Sequence, residues 1–251
     1  MGRLLIVVAI VIAALYVGIC LILFFSQRYL IYFPTQASQT PTEALKVSDA
    51  TLRLSARQRG GPRALIYFGG NAEDVSLSLE AFAETFPDHA IYMLHYRGYG
   101  GSTGRPSEPA LHSDAQALFE MVHARHPEVV VVGRSLGSGV AVRLAAGNPV
   151  DRLILVTPFD SITNLARRQF PFFPVNLLLQ DRFESWRYAP GITSPTLIVM
   201  AENDEVVPRE RTTALLEAFS PGVASLKIIP GAGHNSISSS PAYMQAVSEP
   251  E

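Results

Sequence analysis

The chain has 251 residues, of which 48% are hydrophobic and 17% charged, and its formal net charge is −2. This length and balance suit one packed α/β domain with a small appendage. Because Lys and Arg residues are few and scattered, no nucleic-acid partner is expected. The single cysteine, Cys20, lies in an apolar N-terminal run, which excludes an internal disulfide, a thiol nucleophile and a thiolate metal site from the remainder.

The N-terminal run, residues 4–25, contains no charged residue. As a helix it would measure about 33 Å, enough to cross a hydrocarbon core of about 30 Å. A cleavable signal peptide is the alternative, but its apolar stretch is usually about 7–15 residues and ends in a small-residue cleavage site. Lipoprotein processing at Cys20 is disfavoured because the bulky Ile19 precedes it. We therefore predict an uncleaved, single-pass membrane anchor.

Only a few charged groups flank the anchor and indicate its orientation in the membrane. Arg3 and the α-amine precede the apolar run, and Arg28 follows it closely. The positive-inside rule slightly favours a cytoplasmic N-terminus, with the following domain on the extracytoplasmic side. The predicted division is an anchor over 1–28, a linker over 29–45 and a folded domain over 46–251.

After the linker, short apolar runs alternate with longer helical patterns. Predicted strands cover 51–54, 64–68, 90–95, 129–132, 153–156, 196–200 and 225–229. Predicted helices cover 73–86, 109–125, 136–147, 161–183, 208–219 and 240–248. This alternation predicts an α/β fold with a mostly parallel sheet covered by helices on both faces. Because ligand sites in such sheets lie beyond the carboxyl ends of the strands, the residues after each strand carry the functional information.

A G-x-S-x-G motif follows the strand at 129–132 and opens the helix at 136–147: Gly133, Arg134, Ser135, Leu136 and Gly137. The motif alone is weak, but a strand–turn–helix setting is what a nucleophile elbow requires. Glycines beside the serine let the strand and helix pass closely. A glycine-rich turn with an incidental serine is the alternative.

A serine nucleophile needs a base, and the base needs an acid that orients it. His234, in a glycine-flanked loop after the last strand, is the candidate base. Three other histidines, His112, His123 and His126, fall on a predicted amphipathic helix and are expected to face solvent. Asp204, directly after the strand at 196–200, is the favoured acid. Asp160 is the main competitor, and Glu202 and Glu205 are weaker ones.

The oxyanion formed by attack on a carbonyl needs two backbone donors, one from the residue after the nucleophile. That residue is Leu136. The loop after the strand at 64–68 contains Gly69 and Gly70 and is expected to supply the second donor from Asn71. An ordinary helix start with Asn71 as N-cap is compatible with this role.

With these residues in place, the chain resembles the α/β-hydrolase superfamily, and within it the Bem46-like and ABHD-type serine hydrolases. The segments that carry the resemblance are 95–108 (HYRGYGGSTGRPSE), 133–139 (GRSLGSG) and 204–208 (DEVVP). The resemblance covers roughly residues 45–240 and implies an α/β-hydrolase fold. It departs from the family pattern at two positions, where Gly69 replaces a common histidine and His95 a common aspartate.

The implied reaction is acyl transfer from a carboxylic ester or thioester, with a lipid or other acyl compound as substrate and no cofactor or metal. A charge-free segment, residues 170–179, is expected either to cap the pocket over Ser135 or to pack as a helix on the sheet. Two other functions remain open: a peptidase or amidase on the same fold, and a non-catalytic membrane protein that binds a partner.

Overall fold

The computed structural model describes residues 1–37 and 40–249. In these residues eight strands form one sheet, in the order β1-β2-β4-β3-β5-β6-β7-β8. The strands are β1 Glu43–Lys46, β2 Thr51–Arg57, β3 Arg63–Phe68, β4 Ala90–His95, β5 Glu128–Arg134, β6 Arg152–Val156, β7 Thr196–Ala201 and β8 Ala224–Ile229. Strands β3 to β8 are parallel, whereas β1 and β2 pair antiparallel at one edge. The predicted α/β-hydrolase architecture is confirmed.

Eight α-helices lie in the described ranges: α1 Gly2–Ile31, α2 Leu79–Thr85, α3 Glu108–His123, α4 Leu136–Ala145, α5 Ile162–Gln169, α6 Val175–Leu178, α7 Arg209–Ala218 and α8 Pro241–Ser248. Short 3₁₀ turns cover Val75–Ser78, Ser185–Arg187, Ala189–Gly191 and Ile237–Ser239. The helix predicted over 73–86 is thus a 3₁₀ turn followed by α2.

The central strand β5 shows why both faces of the sheet are covered. Its valines alternate in direction: Val129 and Val131 pack into a core with α3 and α4, whereas Val130 and Val132 pack into a second core with α2 and α8. A buried strand with apolar residues on both faces needs helices on both sides of the sheet.

The helix predicted over 161–183 is wrong in its extent. Helix α5 ends at Gln169, α6 covers only Val175–Leu178, and the chain between and after them is irregular. Pro171 and Pro174 explain the break, because proline lacks an N–H donor and disfavours helical geometry in the residue before it. We call residues 170–181 the cap.

The N-terminal helix α1 continues to Ile31, and β1 begins at Glu43, so both reach into the stretch predicted as linker. Strand β1 has mostly exposed side chains, and its sequence therefore lacks the hydrophobic alternation that marks a half-buried strand. Among the described residues, α1 is the helix long and apolar enough to cross a membrane. Its 30 residues span about 45 Å.

Candidate active site

The β5–α4 junction holds Ser135 in a strained turn. Its backbone angles, φ 48° and ψ −115°, lie outside the regions that non-glycine residues usually adopt. The flanking glycines make the close crossing possible. A Cβ on Gly137 would collide with the carbonyl group of Phe68, and a Cβ on Gly133 would lie 2.5 Å from the Gly137 carbonyl oxygen. The Ser135 N–H donates to the carbonyl oxygen of Val156 at 2.8 Å, which joins the turn to β6.

Three predicted site residues meet at the carboxyl ends of β5, β7 and β8. The Nε2 atom of His234 lies 2.9 Å from the Ser135 Oγ atom. The Nδ1 atom of His234 lies 3.0 and 2.9 Å from the two carboxylate oxygens of Asp204. The side chains of His234 and Asp204 are only 6% and 4% exposed. Asp204 also accepts the N–H groups of Val206 and Val207, which hold its carboxylate in place.

The competing acids lie elsewhere or do other work. Asp160 is buried and accepts hydrogen bonds from Arg211 and Asn164, at the start of α5. Glu202 accepts the N–H of Gly231 at 2.7 Å, and Glu205 accepts the N–H of His234 at 3.0 Å.

These two glutamates therefore tie the loop after β7 to the histidine loop after β8. The hydrogen bond from the His234 backbone lowers the pKa of Glu205, so its carboxylate is charged when it holds that loop. The backbone of Asn203 strengthens the link by donating to the Ala232 carbonyl oxygen at 2.8 Å.

The two predicted oxyanion donors also lie beside Ser135. In the part of the chain that the structure describes, neither the Leu136 nor the Asn71 backbone N–H donates to another protein group. Leu136 is the first residue of α4, where N–H groups have no partner within the helix. Both residues line the same cavity as Ser135. A carbonyl oxygen bound at Ser135 would therefore find two available donors nearby.

The side chain of Asn71 has a different set of contacts from the predicted N-cap. It donates to the carbonyl oxygen of Ile31 at 2.7 Å and accepts the N–H of Phe33 at 2.9 Å and the hydroxyl of Tyr99 at 2.8 Å. The amide thus joins the loop after β3 to the end of α1. The helix-start interpretation is wrong in detail, because Asp74 caps the following 3₁₀ turn.

The sequence does not predict the ion pair that lies behind this loop. Arg134, the second residue of the G-x-S-x-G motif, donates to Glu73 at 3.0 Å, and both side chains are about one-tenth exposed. Glu73 also accepts the N–H of Gly70 at 2.6 Å and the hydroxyl of Tyr67 at 2.8 Å. Burial and the Glu73 charge raise the pKa of Tyr67 well above its ordinary value, so its hydroxyl stays a donor. The pair fixes the loop that carries Asn71.

The two positions at which the chain departs from the family pattern, Gly69 and His95, have different surroundings. At position 69 there is no room for a side chain, because a Cβ on Gly69 would collide with Val75. His95 is buried, with its Nε2 atom 2.8 Å from the Ser55 hydroxyl, and burial lowers its pKa. Its ring lies where a Cβ on Gly100 would be.

One of the histidines expected to face solvent is buried. His126 lies beyond the end of α3, and its Nδ1 and Nε2 atoms lie 2.8 Å from the Gly61 carbonyl oxygen and 3.3 Å from the Tyr92 hydroxyl. Because α3 ends at His123, the following turn directs His126 inward, a change of direction that helical periodicity does not predict.

In residues 1–37 and 40–249, no group of three or more His, Cys, Asp and Glu side chains is arranged to hold a metal ion.

A cavity of about 740 Å³ opens above Ser135. One wall comes from α5 and the cap, including Leu165, Phe173 and Leu178. Further lining comes from α1 and is formed by these residues: Leu23, Gln27, Leu30 and Ile31. The sequence carries no signal for this second wall, because a long apolar helix predicts membrane insertion and says nothing about which domain surface it contacts.

Helix α1 is fixed to the cap by polar contacts. Gln27 donates to the Leu178 carbonyl oxygen at 3.0 Å and accepts the N–H of Gln180 at 2.7 Å. Arg28 and the hydroxyl of Tyr32 both contact the carboxylate of Asp181 at 3.0 Å. Asp181 is 1% exposed, so a buried charge is paired across this junction.

Comparison with known proteins agrees with this fold. The family model of the alpha/beta hydrolase fold matches residues 63–177. The uncharacterized protein Rv2307c of Mycobacterium tuberculosis is 32% identical over 238 residues, covering 87% of this chain and 84% of that protein. The protein bem46 of Schizosaccharomyces pombe is 28% identical over 214 residues, covering 80% and 71%.

Solved structures show the same architecture. The Pyrococcus furiosus esterase Pf2001 superposes with a TM-score of 0.70 at 16% identity, covering 86% of this chain and 96% of that one. Mouse alpha/beta hydrolase domain-containing protein 10 gives a TM-score of 0.65 at 17% identity, covering 83% and 96%. The chain belongs to the α/β-hydrolase superfamily and is similar to its ABHD-type members, as the motifs predicted.

Proposed function

We propose that this hydrolase is a membrane-anchored serine hydrolase that cleaves a carboxylic ester or thioester through an acyl-serine intermediate. The observation that carries the proposal is the chain of contacts from the Ser135 Oγ atom to His234 Nε2, at 2.9 Å, and from His234 Nδ1 to Asp204. A hydroxyl, an imidazole and a carboxylate in this order form the charge arrangement that activates a serine.

In the first half-reaction the Ser135 Oγ atom attacks the acyl carbon, and its proton passes to His234 Nε2. Asp204 holds the imidazole in the required tautomer and stabilises the imidazolium. The alcohol or thiol then leaves with the proton from His234. In the second half-reaction His234 takes a proton from water, which attacks the acyl-serine; His234 then returns that proton to the Ser135 Oγ atom as the carboxylic acid leaves.

The negative charge that develops on the carbonyl oxygen is assigned to the Leu136 and Asn71 N–H groups. Donors of this kind stabilise the transition state more than the ground state, and losing one typically costs about 10²–10³ in kcat. The Glu73–Arg134 pair has a positioning role, because it holds Gly70 and thereby the loop that carries Asn71.

We assign α1 the role of an uncleaved anchor rather than a signal sequence. Its contacts support this assignment, since removal of α1 would delete one cavity wall and the Gln27 contacts with the cap. Arg3 and the α-amine before the apolar run, against Arg28 alone just after it, support a domain on the extracytoplasmic side.

Labelling with a fluorophosphonate probe tests the proposal on the detergent-solubilised full chain. Wild type is expected to label, and Ser135→Ala is expected to lose the label. Ser185→Ala is the matched control, because Ser185 is buried and its hydroxyl has no hydrogen-bond partner within residues 1–37 and 40–249. Folded wild type that fails to label would favour the partner-binding function instead.

Rates on matched ester and amide substrates separate the proposed bond from the peptidase or amidase alternative. The ester is expected to turn over faster. A higher kcat/KM for the amide would reassign the enzyme to that second class while leaving Ser135 as its nucleophile.

A further inference from the structure

We propose that the cap is embedded in the lipid bilayer beside α1, and that the substrate is a membrane lipid ester whose acyl chain enters the cavity sideways between them. The substrate part of this inference rests on the proposed serine hydrolase function. The embedding part rests only on where the cap contacts α1.

The depth of the cap follows from its contact with Tyr16. The Tyr16 hydroxyl donates to the Phe172 carbonyl oxygen at 2.9 Å, and the Tyr16 ring stacks on Phe173 with a centroid distance of 5.8 Å. Tyr16 lies inside the apolar run that ends at Phe25, about 13 Å before its end at about 1.5 Å per residue. If α1 spans the bilayer, the cap segment touching Tyr16 must lie within the hydrocarbon region.

The composition of the cap suits that environment. Residues 170–178 carry no charge, and the side chains of Phe172 and Leu177 are 85% and 81% exposed. Moving exposed apolar surface from water into lipid is favourable by about 25 cal/mol per Å². Arg167 and Arg168 precede this segment and are exposed, as expected for cations at the level of lipid headgroups.

Several backbone N–H groups of the cap are hydrogen-bonded within it. Unpaired N–H groups are costly in hydrocarbon. Phe173 donates to the Phe170 carbonyl, Val175 to the Phe173 carbonyl, and Leu177 to the Pro174 carbonyl. Pro171 and Pro174 have no N–H to satisfy.

The cavity lies between these two embedded elements. Leu23 of α1, Phe173 of the cap and Ser135 all line it. An acyl chain that remains in the bilayer could therefore bring its ester carbon to Ser135 by passing between α1 and the cap in the stretch between the Tyr16 and Gln27 contacts, where Leu23 lies. A short, water-soluble ester would not reach the α1 residues that line the cavity.

Fluorescence quenching by phospholipids brominated on their acyl chains tests the embedding. The sole tryptophan is removed by Trp186→Phe, and a new one is introduced by Phe172→Trp. The variant is then placed in phosphatidylcholine vesicles that contain the brominated lipids. The matched control carries Arg59→Trp, in the β2–β3 turn at the amino ends of the parallel strands. Strong quenching at position 172 and little at position 59 is expected, and equal weak quenching at both would overturn the embedding.

The route of the acyl chain is tested by narrowing the α1 wall. Leu23→Trp is expected to lower kcat/KM for a myristoyl ester, relative to a butyryl ester, by roughly tenfold, a usual size for pocket discrimination. Ile22→Trp is the matched control, because Ile22 is its neighbour but 67% exposed, and it should keep the wild-type ratio. Fluorophosphonate labelling of each variant verifies that Ser135 remains reactive.

An unchanged ratio in a Leu23→Trp protein that still labels would overturn the proposed route. Wild type that neither labels nor hydrolyses either ester would instead refute the serine hydrolase function, and with it the substrate, whereas the quenching result would still decide the embedding.

Discussion

The floor of the cavity and its cap are held in place by different means. At the floor, backbone passes against backbone where Gly137 approaches the Phe68 carbonyl. At the cap, side chains of α1 provide the support, and the partners Arg28 and Asp181 are 153 residues apart in the chain. The floor is therefore sensitive to an added methyl group, whereas the cap is sensitive to the loss of a distant partner.

The largest effect is expected when the chemistry of the floor is changed and its shape is kept. Asp204→Asn should lower kcat/KM by about 10³–10⁴-fold, because an amide favours the wrong tautomer of His234. Steady-state hydrolysis of a soluble ester measures this loss. Glu202→Gln, which alters a neighbouring acid with no contact to the imidazole, should stay within a few-fold of wild type; the reverse ranking would reject Asp204 as the orienting acid.

A methyl group added to the floor should destabilise the fold. Gly137→Ala is expected to lower the free energy of unfolding by about 3 kcal/mol, the upper part of the usual range for overpacking. Its Cβ meets backbone atoms, which cannot rotate away. Denaturant titration in detergent measures the change. The control is Gly147→Ala, where the nearest atom would lie at 3.9 Å and an effect within about 0.5 kcal/mol is expected.

Loss of a partner should loosen the cap by a smaller amount. Arg28→Ala leaves the Asp181 carboxylate buried with the Tyr32 hydroxyl, and we expect a loss of about 2 kcal/mol. This is less than is usual for a broken buried pair, since Arg28 is 48% exposed. Arg57→Ala breaks an exposed pair with Glu80 and should cost less than about 1 kcal/mol. Equal losses would mean that the Asp181 contact does not secure the cap.

The smallest expected effect is the contribution of His95, a buried residue near the floor, to the pH dependence of stability. Burial lowers the pKa of its imidazole, so the unfolded chain, with a pKa of about 6.5, binds the proton more readily. The free energy of unfolding should therefore be fully retained above pH of about 6.5 and decline as the pH falls below it. His95→Gln should flatten this decline in denaturant titrations at several pH values. A slope as steep as that of wild type would exclude His95 as a contributor.

Most of the sheet was predictable because its strands are continuous apolar runs bounded by turn residues. Strand β1 was not, since its side chains are mostly exposed and its place depends on pairing with β2. The cap was predicted as part of one long helix, although Pro171 and Pro174 already argued against that interpretation.

By itself the sequence determined the order of chemical groups, with Ser135, Asp204 and His234 each directly after a predicted strand. Parallel strands place such residues at one edge of the sheet, so local pattern was sufficient to nominate them. Only the tertiary structure decided that Arg134 pairs with Glu73 and that α1 forms a wall of the cavity. Those features depend on contacts between residues far apart in the chain, and neither periodicity nor a local motif records which distant surfaces will meet.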